Sequence, residues 1–140
     1  MAGAPDLQAN KALVRAYFEA IDTGDAAIIS RFLAPDYVEH AGAFPNLRPG
    51  IDGVHDVFRL SNAAFTNFRH VIEDQVAEGD RVVTRVTATG DHVGDYWGVP
   101  ATGKTVSMEG IAIHRIADGL IAEHWGKSDL YGLLQRMKAV

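Results

Sequence analysis

The sequence predicts an α+β fold, in which helices come first and an antiparallel sheet follows. Apolar residues recur at helical spacing in three segments before residue 66, and from Phe68 onward apolar and polar residues alternate as in strands. A tight-turn signal, Asp118-Gly119, stands between two of the alternating segments. Helices and strands in consecutive halves are typical of α+β domains. We therefore expect a cone-like, curved sheet whose open side is covered by the amino-terminal helices, with a pocket between them.

Composition predicts one globular domain over residues 1–140. The 140 residues are 47% hydrophobic and 22% charged, which is enough apolar material for a core. The net charge is -5 and no basic face stands out, which argues against nucleic acid or an anionic membrane as a partner.

The chain has no cysteine, no long apolar run and no signal-peptide pattern at its amino terminus. The lack of cysteine excludes disulfides, thiolate nucleophiles and cysteine metal sites. It also agrees with a reducing compartment, so we expect a cytoplasmic protein.

The helical half contains three expected helices. The first runs over residues 5–22 and ends before Gly24, the second is a short helix around residues 28–33, and the third covers residues 52–65. Between the last two, residues 37–40 are expected to be extended and residues 41–50 to form a loop, because the latter carry two prolines and two glycines.

The second half is expected to hold two hairpins and a closing helix. Strands at 68–77 and 81–92 are joined by Glu78-Gly79-Asp80, and the loop 94–103 leads to a strand that starts at Thr105. A short helix from Asp129 to about Met137 completes the chain.

The register of the last hairpin determines which side chains share a face. A three-residue turn at 117–119 would place His114 opposite Ala122, Ala112 opposite His124 and Gly110 opposite Gly126. These six small residues and histidines would form a cavity wall. The other face would pair Ile111 with Trp125 and Glu109 with Lys127. A two-residue turn would shift the register and mix the two faces.

Three segments carry a resemblance to a known family. They are LAPDYVEH (33–40), TATGDHVGDYWGVPATGK (87–104) and HRIADGLIAEHW (114–125), the last followed by Asp129. Together they resemble the SnoaL-like polyketide cyclases, which belong to the cone-shaped superfamily of nuclear transport factor two, ketosteroid isomerase and scytalone dehydratase. The resemblance implies an enzyme without cofactor or metal that closes a ring by intramolecular aldol condensation, usually as a homo-oligomer.

The chain departs from the family pattern at three positions. In an ungapped alignment on Asp118-Gly119 and Glu123-His124, Gly126 stands where the characterised cyclases carry an acid/base aspartate, and Gly110 and Ala112 replace a glutamine and a histidine. Either another group transfers the proton, or the protein is an isomerase, dehydratase or epoxide hydrolase on the same fold, or it binds a small molecule without catalysis.

His124 is the expected proton-transfer residue, with Asp129 orienting or assisting it. An imidazole titrates near neutral pH and needs a partner that fixes its tautomer, and Asp129 is the nearest carboxylate in sequence that can fold back. The alternatives are a structural hydrogen bond for His124 and a helix N-cap for Asp129.

The remaining candidates are expected to contact a bulky, hydrophobic, polyketide-like substrate. Alternative roles are a core position for His92 and, for His114, a structural role or an exposed position near the turn. No histidine or carboxylate cluster has metal-ligand spacing, so no metal site is expected. The substrate-binding candidates are Tyr17, Glu39, His40, His92, Trp97, Gly110, Ala112, His114 and Gly126.

The apolar outer face of the last hairpin predicts a homodimer. Ile111, Ile113, Ile121 and Trp125 would form a contiguous apolar patch if left in water. We expect a second copy of the chain to cover this patch.

Overall fold

Among residues 4–139, four helices cover one side of a five-stranded sheet. The computed structural model describes residues 4–139; residues 1–3 and 140, which the sequence assigns to the same domain, lie outside the described residues. The helices are α1 (Leu7–Asp22), α2 (Ala26–Ser30), α3 (Gly50–Ala64) and α4 (Leu130–Lys138). The expected α+β class with helices first is confirmed.

The strands are arranged in the order β1-β5-β4-β3-β2, and only β1 is parallel to its neighbour. They are β1 (Leu33–Glu39), β2 (Phe65–Glu78), β3 (Arg81–His92), β4 (Thr105–Ala117) and β5 (Leu120–Ser128). The sheet is therefore mostly antiparallel, as expected, with one parallel edge pair.

The sequence prediction placed the boundary between α2 and β1 too late in the chain. Sequence spacing assigned Phe32 and Leu33 to the second helix, but that helix ends at Ser30 and Leu33 already pairs with Ile121. The cause is tertiary: the main-chain N–H of Ile121 donates to the Phe32 carbonyl and draws this segment into the sheet.

The β4–β5 hairpin has a two-residue turn, so the three-residue turn expected from sequence is wrong. Asp118 and Gly119 both have positive φ (52° and 74°), as a type I′ turn requires, and Ala117 pairs with Leu120. A bulge at Ala122 then adds one residue to β5, because Ile116 pairs with Ile121 whereas Arg115 pairs with Glu123.

The bulge restores the side-chain alternation that the shorter turn would have reversed. His114 now pairs with His124, and Ala112 pairs with Gly126. Five of the six residues of the expected cavity wall line the cavity, although every predicted partner is displaced by two residues. The exception is Ala122, which is the extra residue of the bulge. On the other face, Trp125 pairs with Ile113 and Lys127 with Ile111, instead of Ile111 and Glu109.

The same bulge removes Ile121 from the predicted outer patch. Ile121 precedes the bulge, so its side chain points to the opposite face from Glu123 and Trp125. It is fully buried in the main core with Val14, Tyr17 and Leu33. The outer patch therefore consists of Ile111, Ile113 and Trp125.

A second bulge, at Glu73, reverses the alternation in the middle of β2. Sequence spacing placed Asp74 and Val76 on the same side as His70, but Ile72 pairs with Val86 and Asp74 with Arg85. Asp74 consequently reaches the outer side, where it forms an ion pair with Arg85 at 3.1 Å. His70 stays on the inner side.

Among residues 4–139, no helix is long and apolar enough to cross a bilayer.

Candidate functional site

A cavity of about 450 Å³ lies between the inner face of the sheet, helices α1 and α3, and the loops that follow β1 and β3. Its walls are mainly aromatic and aliphatic. The aromatic side chains are Tyr17, Phe18, Phe44, Phe58, Phe65, Phe68, Tyr96 and Trp97. A cavity of this size and lining suits a flat hydrophobic ligand with few polar groups.

A carboxylate–imidazole pair forms the polar part of this wall. His124 Nδ1 lies 2.6 Å from Glu39 Oε2, and both side chains line the cavity. Glu39 is the direct strand partner of His124 in the parallel β1–β5 pair, which explains how two residues 85 positions apart in sequence meet. Since a carboxylate only accepts hydrogen bonds, Nδ1 carries the proton and Nε2 is left as the basic nitrogen.

Glu39 is held in its ionised form. Burial acts to raise its pKa, but the hydrogen bond and the charge of His124 act against burial, and the Ala41 N–H and the Tyr37 hydroxyl add two more donors. The net result is a pKa below the usual range of a glutamate. The carboxylate therefore remains a strong acceptor that fixes the orientation and tautomer of His124.

The His124 ring occupies the space above Gly126. A Cβ atom on residue 126 would lie 2.9 Å from His124 Nε2 and 3.1 Å from its Cε1. The imidazole can adopt this position because residue 126 has no side chain.

His114 is stacked on His124. The two ring centroids are 4.7 Å apart, and the planes are inclined by 18°. His114 is 2% exposed, and Tyr17 and Phe18 meet it edge-on at 5.7 and 5.9 Å between centroids. Burial, and then the neighbouring charge of His124, hold the pKa of His114 well below its usual value, so this imidazole stays neutral.

Only one nitrogen of His114 is available to a ligand. Its Nδ1 is fully buried and has no hydrogen-bond partner within the described part of the chain. His114 lines the cavity, and Nε2 is the nitrogen that can face it. His114 lines the cavity as expected of a substrate-binding candidate, and the alternative in which it is exposed near the turn is wrong, because the two-residue turn and the bulge bring it opposite His124.

Five other predicted substrate contacts also line the cavity: Tyr17, Trp97, Gly110, Ala112 and Gly126. Burial, followed by the charge of Glu39, raises the pKa of Tyr17, so its hydroxyl remains protonated. Trp97 lies at the opening, 43% exposed and stacked on Phe44 from the other loop with 5.7 Å between ring centroids.

Asp129 is not the partner of His124, contrary to the expected pairing. Its carboxylate accepts a hydrogen bond from Gly132 N–H at 3.0 Å and lies 3.6 Å from Arg136. It is the N-cap of α4 and does not line the cavity. Glu39 already occupies the position beside His124 Nδ1, and Asp129 is held at the start of the helix by the free N–H groups there.

His40 and His92 also lie outside the cavity. His40 is on the outer side of the sheet edge, where it bonds to Glu123 at 2.8 Å and stacks on Trp125. His92 is fully buried, and its Nδ1 contacts the hydroxyl and the N–H of Thr102. These contacts fasten the loop 93–104 to β3, so His92 shapes the cavity indirectly.

One histidine of the cavity was not among the predicted contacts. His70 lines the cavity, and its Nδ1 lies 2.7 Å from Asp22 Oδ1. The available signal was that His70 shares a face of β2 with Ile72, ahead of the bulge at Glu73.

Within residues 4–139, no group of three or more histidine, aspartate or glutamate side chains is arranged to hold a metal ion.

Comparison with protein families gives a match over nearly the whole chain. Residues 11–137 match the model of the SnoaL-like polyketide cyclases. The match includes the strands that carry Glu39, His114 and His124.

Two curated relatives are enzymes named for ring closure. The aklanonic acid methyl ester cyclase DnrD of Streptomyces peucetius is 33% identical over 129 residues, which cover 89% of this chain and 88% of the relative. The nogalonic acid methyl ester cyclase of Streptomyces nogalater is 27% identical over 119 residues, covering 84% and 89%.

Solved structures share the same fold. TsrD from Streptomyces laurentii is 32% identical and superposes with a TM-score of 0.85 over 97% of this chain and 99% of its own.

Proposed function

The chain belongs to the SnoaL-like polyketide cyclase family, and we propose that it catalyses an intramolecular aldol-type ring closure on a polyketide-like substrate without a cofactor. The observation that carries this proposal is the Glu39–His124 pair, whose free nitrogen lies in an apolar cavity. Such a pair supplies the base that the resemblance assigns to a carboxylate at position 126.

In the proposed reaction, His124 Nε2 removes a proton from a carbon that lies between two carbonyl groups. The electron pair left on that carbon attacks a second carbonyl carbon of the same molecule, and a C–C bond forms. The resulting alkoxide takes the proton back from the His124 imidazolium. The product is a cyclic alcohol with the same atoms as the substrate, so no oxidant, reductant or leaving group is needed.

Glu39 stabilises the imidazolium that forms during this reaction. Its carboxylate accepts the Nδ1–H bond throughout, so the positive charge on His124 is balanced when Nε2 is protonated.

His114 is proposed to bind the carbonyl oxygen that becomes negatively charged. A neutral imidazole whose Nε2 carries the proton can donate a hydrogen bond to an enolate oxygen. The 4.7 Å ring stacking places this donor beside the base, as proton removal next to a carbonyl requires. The low pKa of His114 keeps the ring from competing with His124 for the proton.

The cavity itself folds the substrate. Aromatic walls and the small residues Gly110, Ala112 and Gly126 leave room for several fused rings. When a flexible chain is held in a reactive conformation, the effective concentration of its reacting groups can reach about 10⁵ M or more.

The test uses the substrates that the two curated relatives are named for. Aklanonic acid methyl ester and nogalonic acid methyl ester are incubated with the wild type and with His124→Asn, which keeps a donor to Glu39 but removes the base. Because the product is an isomer, chromatographic separation and NMR detect it. We expect kcat/KM to fall by about 10²- to 10⁴-fold.

The matched control is His40→Asn, which removes an imidazole that also bonds to a glutamate but lies outside the cavity. Turnover by this variant should equal that of the wild type. Wild-type turnover by His124→Asn contradicts the proposed role of His124.

A protein that binds its ligand without catalysis is the second candidate. The observation in its favour is Gly126, which stands where the resemblance places the acid/base aspartate. Tight binding of either ester by the wild type, without ring closure, would support this alternative.

We also propose that the protein is a homodimer that covers Ile111, Ile113 and Trp125. Ile111 is 52% exposed, whereas the Trp125 ring is stacked on His40 and has the Arg81 guanidinium over it. Light scattering on Ile111→Lys should show a monomer, and the control Tyr131→Ser, at a 73% exposed aromatic on α4, should stay dimeric. A monomeric wild type at micromolar concentration contradicts the proposal.

A further inference from the structure

A second carboxylate–imidazole pair contributes its imidazole to the wall of the same cavity. His70 Nδ1 is 2.7 Å from Asp22 Oδ1, and the main-chain N–H of His70 donates to Asp22 Oδ2 at 3.0 Å. Asp22 is the last residue of α1, and His70 is in the first half of β2. Both oxygens of one carboxylate thus fix the backbone and the ring of one histidine.

The orientation of His70 leaves its Nε2 available to a ligand. Because Nδ1 donates to Asp22, Nε2 is the basic nitrogen, as it is in His124. The ring lies between Phe18 and Phe68, at 5.1 and 4.9 Å between centroids, and it lines the cavity. The side chain is only 11% exposed, so an acceptor at this point would be shielded from solvent.

The two imidazoles lie at different points along the inner face of the sheet, because strand pairing sets His70 level with Met108 of β4 and His124 level with His114. Two rings stand between them. The Phe18 ring lies 5.1 Å from that of His70 and 5.9 Å from that of His114, and His114 is stacked on His124 at 4.7 Å between centroids. A ligand that contacts both histidines must therefore extend along this wall past Phe18 and His114, as a flat system of fused rings can.

We propose that Asp22–His70 binds an acidic hydroxyl group, a phenol or an enol, at the end of the ligand remote from the reacting carbons. This assignment rests on the proposed function, because it takes the His124 end as the reacting end. A phenolic O–H donates to the His70 Nε2, and the adjacent Phe18 and Phe68 rings contact the flat ring that carries the hydroxyl. His70 acts here as a substrate-binding residue, and no bond is made or broken at it.

The competing explanation is that the hydrogen bonds between Asp22 and His70 only hold α1 against β2. The two explanations involve different nitrogens of His70, because the structural hydrogen bond uses Nδ1 and the ligand uses Nε2. His70→Asn keeps an amide donor near the position of Nδ1 and lacks Nε2. His70→Gln reaches toward the position of Nε2 and gives up the Nδ1 bond.

The experiment measures affinity for 2,6-dihydroxyanthraquinone, a flat tricycle with a phenol at each end, and for its 2,6-dimethoxy derivative, which cannot donate. For His70→Asn we expect about five- to tenfold weaker binding of the dihydroxy probe, no change for the dimethoxy probe, and a melting temperature close to that of the wild type. His70→Gln should bind the dihydroxy probe better than His70→Asn but melt at a lower temperature.

Three results would overturn the proposal. The first is unchanged affinity of folded His70→Asn for the dihydroxy probe, which would leave His70 with only its structural hydrogen bond to Asp22. The second is a wild type that binds neither probe, which excludes the ligand class. The third applies even if the variants do not fold: in wild-type protein labelled with ¹⁵N at histidine, the dihydroxy probe leaves the His70 Nε2 resonance unshifted.

The same measurements separate this inference from the proposed ring closure. If His124→Asn retained full turnover, the proposed base would be wrong, yet the affinity difference at His70 would still be measurable. If only the His70 result failed, the role of Glu39–His124 would be unaffected.

Discussion

The imidazole of His124 lies where a side chain on residue 126 would otherwise project, with Nε2 only 2.9 Å from the position of a Cβ atom there. In the resemblance, position 126 belongs to the acid/base aspartate. Glycine at this position leaves open the space that the basic nitrogen of His124 occupies.

Gly126→Ala should therefore lower turnover by displacing His124. A methyl group at 126 forces the ring away from its present position and strains its bond to Glu39. We expect a loss in kcat of about 10²-fold, since a displacement of about 1 Å can cost that much. Steady-state kinetics on either ester checks this.

The control for that prediction is Gly110→Ala, on the same wall. Its Cβ would meet the Lys127 carbonyl at 3.2 Å and Ser128 Oγ at 3.3 Å, but not His124. If both alanine variants lose activity to the same degree, narrowing of the cavity is the cause and the displacement of His124 is not.

The final hairpin shows which features of a sheet an alternating sequence pattern can predict. The pattern correctly placed His114, His124, Ala112 and Gly126 on one face. The two errors, a turn one residue too long and a missing bulge, each reverse the alternation, so together they cancel. The Ile121 assignment failed because it lies between the turn and the bulge, where they do not cancel. Bulges have no strong local signal, so this error could not be avoided from the sequence alone.

The partner of His124 could not be predicted for a different reason. Sequence proximity favoured Asp129, but Glu39 is brought to His124 by the parallel β1–β5 pairing, which connects the two ends of the chain. Parallel pairing between strands that are distant in sequence depends on the whole fold, and the sequence of neither strand indicates its partner. Glu39 was recognised as a cavity residue because its segment resembles the family, and its role as a partner emerged only from the structure.

Glu39→Gln should abolish most activity while the fold is retained. A glutamine can turn its amide toward Nδ1 and donate, which moves the proton to Nε2 and removes the base, and it also lacks the charge that balances the imidazolium. The expected loss in kcat is about 10²- to 10⁴-fold.

Glu123→Gln is the matched control for Glu39→Gln. Glu123 bonds to the His40 imidazole at 2.8 Å and to Arg115 at 2.6 Å; it precedes His124 on β5 and points to the outer face. This variant should keep wild-type kinetics. Equal kinetics for both glutamine variants would show that the inner pair has no special role.

Acid unfolding should depend on Asp56. This carboxylate accepts hydrogen bonds from Arg48 Nε at 2.9 Å and Nη2 at 2.7 Å, and these bonds hold its pKa far below the usual value of 3.8. A lowered folded pKa means that the stabilisation is complete above about pH 4 and is lost as the pH falls through the folded value. Asp56→Asn should therefore melt at a lower temperature than wild type at pH 6, with the difference shrinking at lower pH.

Asp52→Asn provides the comparison for that series. Asp52 lies 4.0 Å from Arg48, and its side chain is 66% exposed, so its contribution is screened. Its melting curves should follow those of the wild type between pH 2 and 6. A constant difference between Asp56→Asn and wild type across this range would contradict the role of the ionised carboxylate.

His114→Phe should make the protein more stable and less active. Phenylalanine preserves the stack on His124 and the edge contacts with Tyr17 and Phe18, and it removes the buried Nδ1 that has no partner. An unsatisfied buried polar atom costs about 1–3 kcal/mol, so the melting temperature should rise by about 2–12 °C. Loss of the Nε2–H donor should lower kcat by about 10²-fold.

His114→Gln, whose amide can still donate into the cavity, should recover part of the activity without the gain in stability. The combination of a higher melting temperature with a lower kcat separates a hydrogen-bond donor from a packing residue, because a packing residue would change stability alone. Wild-type kcat in His114→Phe would therefore assign His114 to the core and leave the enolate oxygen to be bound by another group.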